Sequence, residues 1–159
     1  MNLLIVIDLQ NAFINENTQE SVSKIEKLIT TNTYDNIIFT KFVNSFNNPV
    51  YTKIKWDKCL SEESKRIPID TKDYPIFLKE TYSIFNSELK DYLANNNIQK
   101  IYLCGIDIEC CILVSALNLF ENNYDVYVLK DYCFSMKGKE AYENAISILK
   151  RNIGDAKVI

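Results

Sequence analysis

Short apolar runs, spaced along the chain and separated by segments of helical period, constrain this sequence more than any other feature. "LLIVID" (3–8) is an unbroken apolar run ending on a charge, the pattern of a strand buried on both faces. "NIIFTKFV" (36–43), "YPIFLK" (74–79), "KIYLCGI" (100–106) and "YDVYVLKD" (124–131) read as four further strands, and "AKVI" (156–159) as a closing sixth. Between them, "SVSKIEKLI" (21–29) carries Val22, Ile25, Leu28 and Ile29 at helical spacing. "ELKDYL" (88–93) lies in a helix capped by Asn86 or Ser87, and residues 111–122 form another helix. "KEAYENAISILKR" (139–151) is amphipathic, with Lys150 and Arg151 suiting its negative end and Gly154 its stop. Only residues 44–74 are polar and irregular, with Pro49, Pro68 and the single tryptophan, Trp56. Strands alternating with helices at this spacing predict one α/β domain over residues 1–159. The expected architecture is three-layer α/β/α, Rossmann-like and doubly wound, around a mostly parallel six-stranded sheet.

Composition narrows the chemistry sharply at one point: the 159 residues include no histidine. A His base, a Cys-His or Ser-His pair and a His-ligated zinc are therefore excluded, and acid–base work falls to carboxylates, lysine, cysteine or tyrosine. A net charge of −3 gives no reason to expect nucleic acid or an anionic membrane as partner. No apolar run approaches the ~20 residues that span a bilayer. The start, "MNLLIVIDLQNAF", reads as a first strand and not a signal peptide. Five cysteines without secretory features predict free thiols and a cytoplasmic location.

In doubly wound sheets, ligands bind beyond the carboxyl ends of the strands, where strand order reverses. Asp8 closes the first strand, Lys79 the third, and Cys111 lies just past the fourth, opening a helix. Each also has a plainer reading: a turn aspartate, a surface lysine, a small core hydrophobe. The positive end of a helix favours a thiolate at Cys111. Other chemistries find less support. Gly105 stands alone, so there is no phosphate-cradling loop; Gln10 occupies the place where an aspartate-nucleophile phosphatase needs its second acid. No CxxC pair occurs, and Cys59, Cys104, Cys110, Cys111 and Cys133 show no recurring zinc spacing, so no metal or other cofactor is expected.

Four segments together resemble the isochorismatase-like cysteine hydrolases, the superfamily of nicotinamidases and N-carbamoylsarcosine amidase, over essentially the whole chain. "LIVIDLQNAF" is similar to the opening strand with its aspartate, and "FLKETYSIF" to the lysine segment with Tyr82, Ser83 and Phe85. "GIDIECCILVSA" resembles the glycine-to-cysteine turn, with the nucleophile six residues after Gly105, and "VYVLKDYCFS" the later strand with Asp131. The resemblance implies a triad of Asp8, Lys79 and Cys111, a non-proline cis bond between Ile106 and Asp107, and an oxyanion hole from the N–H groups of Asp107 and Cys111. It implies hydrolysis of a small amide-type substrate through a thioester on Cys111, with Asp8 as general acid and base and Lys79 stabilising the thiolate. The chain departs from the family at Ile108, where threonine is common. It also lacks the Asp/His metal cluster of nicotinamidases. A metal-independent hydrolase follows. Phe13, Phe46, Trp56, Tyr82 and Ile112 are the candidate pocket residues, with Phe134 also close. The nearly all-apolar helix "CILVSALNLF" is either buried in the domain or meets another subunit, as in a homodimer or larger homo-oligomer. The alternative to an enzyme is a thiol redox sensor using Cys110 beside Cys111, or a non-catalytic binding protein on the same fold.

Overall fold

The computed structural model describes residues 1–31 and 33–159. Its sheet is built from β1 (Asn2–Ile7), β2 (Asn36–Phe42), β3 (Ile76–Lys79), β4 (Lys100–Ile106) and β5 (Asp125–Phe134). The strands are all parallel, in the order β3-β2-β1-β4-β5. Parallel neighbours need crossovers, supplied by α1 (Glu20–Thr30), by α2 (Pro49–Thr52) with α3 (Glu62–Lys65), by α4 (Ser87–Asn95) and by α5 (Leu113–Glu121). A sixth helix, α6 (Lys139–Ile153), follows β5. Strand order reverses between β1 and β4, which opens a crevice at their carboxyl ends.

The period of two along a strand divides the core. Leu3, Ile5 and Ile7 of β1 face one layer with Leu89 and Leu93 of α4, Ala116 and Leu119 of α5 and Leu149 of α6. Leu4 and Val6 face the other, with Ile25 and Ile29 of α1. Both faces are covered, which is why these strands are apolar throughout. The nearly all-apolar α5 buries Ala116 and Leu119 in this core, while Ser115 and Asn118 face the 81–86 segment. Phe120, near its end, is exposed.

Two expectations are corrected. The sheet has five strands: Gly154 ends α6, a tight turn takes up Asp155–Lys157, and the chain end is left with a single parallel bridge from Val158 to Val128. Residues 44–74 are also less irregular than their composition suggests. Asn48 accepts from the Val50 N–H ahead of Pro49, and Ser61 from the Ser64 N–H, so two four-residue helices start at side-chain caps.

Gly105 stands where β4 leaves no room for a side chain against β1. It pairs with Ile7 at φ +124, and a Cβ there would fall 2.0 Å from the Ile7 carbonyl oxygen. No side chain fits between the two strands at this level.

Candidate active site

Asp8 is the first residue beyond β1, and the backbone turns there at φ 49, a conformation aspartate tolerates better than most residues. Its side chain is wholly buried, a position a carboxylate keeps only with partners. Thr40 of β2 supplies one: its hydroxyl donates to Asp8 Oδ1 at 2.7 Å, and the Asp8 N–H donates back to the same hydroxyl at 3.2 Å. The Lys79 ammonium supplies the other, 2.6 Å from Asp8 Oδ2. Lys79 ends β3 paired with Phe42, whose ring centroid lies 5.1 Å from its Nζ. The same ammonium donates to the carbonyls of Thr81 at 3.0 Å and Tyr82 at 3.3 Å, and reaches Cys111 Sγ at 3.5 Å. Residues from the ends of three strands thus meet at one point.

Cys111 sits in a widened, π-helical turn, Ile108–Ile112, that joins β4 to α5 and includes a hydrogen bond from the Ile112 N–H to the Asp107 carbonyl at 3.1 Å. The bond before the turn, Ile106–Asp107, is cis. One turn further on, buried Ser115 ties two segments together. Its hydroxyl donates to the Cys111 carbonyl at 2.6 Å and accepts from the Ile84 N–H at 3.2 Å. The lysine segment and the cysteine turn are therefore held in register by one hydroxyl.

The charges of the three residues act on one another. Burial works to lower the Lys79 pKa, but the Asp8 carboxylate and Cys111 outweigh it and hold the ammonium above its ordinary range. The Cys111 thiol is pushed up by its hydrogen bond with Cys110, by burial and by Asp8, against the opposing pull of Lys79. The physical reason is charge balance. Asp8 and Lys79 already form a neutral pair, so ionising Cys111 would leave one uncompensated negative charge in a dry site. The same hydrogen bond between the two cysteines pulls the neighbouring Cys110 thiol down.

In front of Cys111 lies a cavity of about 160 Å³ lined by Phe13, Phe42, Val50, Ile54, Trp56, Tyr82, Cys110 and Cys111. Of the three meeting residues only Cys111 lines it; Asp8 and Lys79 form a buried layer behind the sulfur. Phe13 stacks on Trp56 with ring centroids 5.4 Å apart, and Phe42 meets the indole edge-on at 6.0 Å. Side-chain amides hold this wall. Asn44 Nδ2 donates to the carbonyls of Trp56 and Lys58, and Asn48 Nδ2 to that of Glu80. The wholly buried Gln10 clamps the backbone of Phe42 from both sides, its Nε2 donating to the carbonyl at 3.0 Å and its Oε1 accepting from the N–H at 2.8 Å.

Of the expected pocket residues, Phe13, Trp56 and Tyr82 line the cavity, whereas Phe46, Ile112 and Phe134 do not. Phe46 is 68% exposed and packs edge-on against Tyr51. Ile112 points the other way, into the core beneath α5, and Phe134 lies beside Lys24 of α1. Phe42, Val50, Ile54 and Cys110 were not anticipated as lining. For Phe42 a signal existed, its place near the carboxyl end of a doubly buried strand; for Val50 and Ile54 there was none. Among the described residues, no group of three or more His, Cys, Asp or Glu side chains could hold a metal ion. All five cysteines are free, and no helix among the described residues is long and apolar enough to cross a membrane.

Comparison with known proteins identifies the family. The family model described as "Isochorismatase domain" matches residues 2–157. The chain belongs to the isochorismatase family. Among curated members, it is 26% identical to isochorismatase family protein 2A of Dictyostelium discoideum over 160 aligned positions, covering 94% of this chain and 74% of that protein. Isochorismatase family protein 1A of the same organism is 27% identical over 82% of this chain, which spans only 61% of that relative. Among solved structures, an isochorismatase-like hydrolase from Alkaliphilus metalliredigens superposes with a TM-score of 0.82 at 21% identity, over 95% of this chain and 91% of that one. A nicotinamidase from Bacillus subtilis superposes at 0.78 with 21% identity, over 96% of both chains. As an isochorismatase-family hydrolase, the chain shares their α/β fold and parallel sheet.

Proposed function

We propose that this protein hydrolyses a small amide-type C–N bond, without a metal, through a thioester on Cys111. One observation carries the reading: the Lys79 ammonium bridges Asp8 at 2.6 Å and Cys111 Sγ at 3.5 Å directly behind the wall of an apolar cavity. Asp8 takes the Cys111 proton as the sulfur attacks the carbonyl carbon, so the buried trio stays neutral while the negative charge moves from carboxylate to sulfur. The carbonyl electron pair moves onto oxygen, where the backbone N–H groups of Asp107 and Cys111 hold it. Asp8 then returns its proton to the departing amine or ammonia, and the C–N bond breaks to leave the thioester. Water, giving up a proton to Asp8, attacks that thioester and releases the acid, and Asp8 reprotonates the sulfur. Lys79 remains charged throughout, supplying a fixed positive charge where many hydrolases use histidine.

The test is substitution with a trapped intermediate. Cys111→Ala abolishes ammonia release from a panel of small amides, Cys110→Ala retains it, and chelators leave it intact. Intact mass during turnover shows an acyl adduct on Cys111. Turnover that survives Cys111→Ala removes this mechanism; turnover lost to a chelator removes the metal-independent part. The thiol-sensor alternative predicts instead that mild peroxide removes two hydrogens between Cys110 and Cys111.

A further inference from the structure

The cavity in front of Cys111 also defines what it can accept. Its lining residues are Phe13, Phe42, Val50, Ile54, Trp56 and Tyr82 together with the two cysteines, so it contains no charged side chain and no side-chain amide. The neighbouring amides are already committed to backbone: Asn44 to Trp56 and Lys58, Asn48 to Glu80 and Val50, Gln10 to Phe42 and Lys65. Lys79 is committed to Asp8, two carbonyls and Cys111. Among the described residues, none that lines the cavity is a cation that could receive an anionic substituent. The volume, about 160 Å³, is close to the roughly 150 Å³ of an apolar protein cavity that takes up benzene. It falls well short of the ~300 Å³ or more of drug-sized pockets.

We infer that the acyl group of the substrate is an uncharged hydrocarbon unit the size of one six-membered ring, either aryl or branched aliphatic, with the amide as its only polar group. This rests on the thioester reading for the placement of the amide at Cys111, but the selectivity is a property of the cavity itself. Burying a polar atom without a partner weakens binding roughly tenfold or more, and an unpaired carboxylate roughly a hundredfold or more. The flat stack of Phe13 on Trp56 offers a ring face, and Val50 and Ile54 close the aliphatic side.

Trp56, the only tryptophan, reports occupancy by fluorescence. Binding is measured on Cys111→Ala, and again on Cys111→Ser should the first variant fold poorly, so that turnover plays no part. The probes are benzamide, cyclohexanecarboxamide, nicotinamide, succinamic acid and 2-naphthamide. The expected result is binding of benzamide and cyclohexanecarboxamide at least tenfold tighter than each of the other three. Binding of nicotinamide, succinamic acid or 2-naphthamide within tenfold of benzamide overturns the inference, as does binding by none of the five. Benzamide that binds in this order yet releases no ammonia from the native enzyme would sink the hydrolytic mechanism and leave the selectivity standing.

Discussion

Behind the Cys111 sulfur and in front of it, the molecule is built on opposite terms. The layer behind is a desolvated ion pair, Asp8 and Lys79, with side-chain exposures of 0% and 2%, every group supplied from the end of a strand. The wall in front is apolar, with Val50, Ile54 and Trp56 drawn from the 44–74 connection, and partly open: Ile54 is 63% exposed and Tyr82 37%. Register fixes the first, because β2 pairs in parallel with both β1 and β3 and so brings their carboxyl ends to one edge. Capped turns and side-chain amides fix the second. The contrast separates the chemistry from the choice of substrate, so that changes in one should register mainly as stability and in the other mainly as binding.

The largest effect should come from unbalancing the layer behind. Lys79→Met leaves the Asp8 carboxylate buried without a counter-charge and should cost about 3–5 kcal/mol in urea unfolding. Adding Asp8→Asn in the same chain should recover part of that loss. A single-variant loss below about 1 kcal/mol would mean that water reaches the pair and that the contrast is false.

Next in size is a pH effect at the seam. Burial pushes the half-buried Asp107 carboxyl up to about 7; the Met136 N–H, 2.6 Å away, pulls it down, and Glu109 and Asp8 push it further up. Its folded pKa lies above the ~3.9 of an unfolded aspartate, so the native state holds the extra proton. That contribution is whole below about pH 4 and is lost as pH rises toward 7, on the order of 2–3 kcal/mol. Asp107→Asn should remove this falling component from unfolding measured between pH 4 and 8.

A smaller change follows from Thr40→Val, which deprives Asp8 Oδ1 of its 2.7 Å donor and should cost about 1.5 kcal/mol in the same assay. The smallest belongs to the wall. Ile54→Ser should shift stability by no more than about 0.5 kcal/mol, while weakening occupancy of the cavity as read from Trp56 fluorescence. A stability loss as large as that of Thr40→Val would place Ile54 in the fold's support and not only in its binding surface.

The same division explains what could be read from the sequence. Asp8, Lys79 and Cys111 were legible because each closes or follows an apolar run, and a parallel sheet brings such ends to one edge. Strand five ran longer than its apolar run, to Phe134, because a register irregularity between Leu103 and Gly105 lets its later residues rejoin β4. Phe46 and Ile54 could not be told apart from sequence. Both are apolar residues in a connection without period, and only the capped turn at Asn48 decides which one faces the cavity. The upward push on the Cys111 thiol comes from Cys110, from burial and from Asp8, none of which the helix end beside it reveals. A charge balance among residues from three strands has no signature in any one of them.

The missing side chain at Gly105 carries a last consequence. A Cβ at Gly105 would fall 2.0 Å from the Ile7 carbonyl oxygen, so only a residue without a side chain lets β4 lie beside β1 here. Asp8 follows one of them and Cys111 the other. The reach from acid to sulfur is thus gauged by a missing carbon, six residues upstream of the nucleophile, and even a methyl group there would act as a wedge.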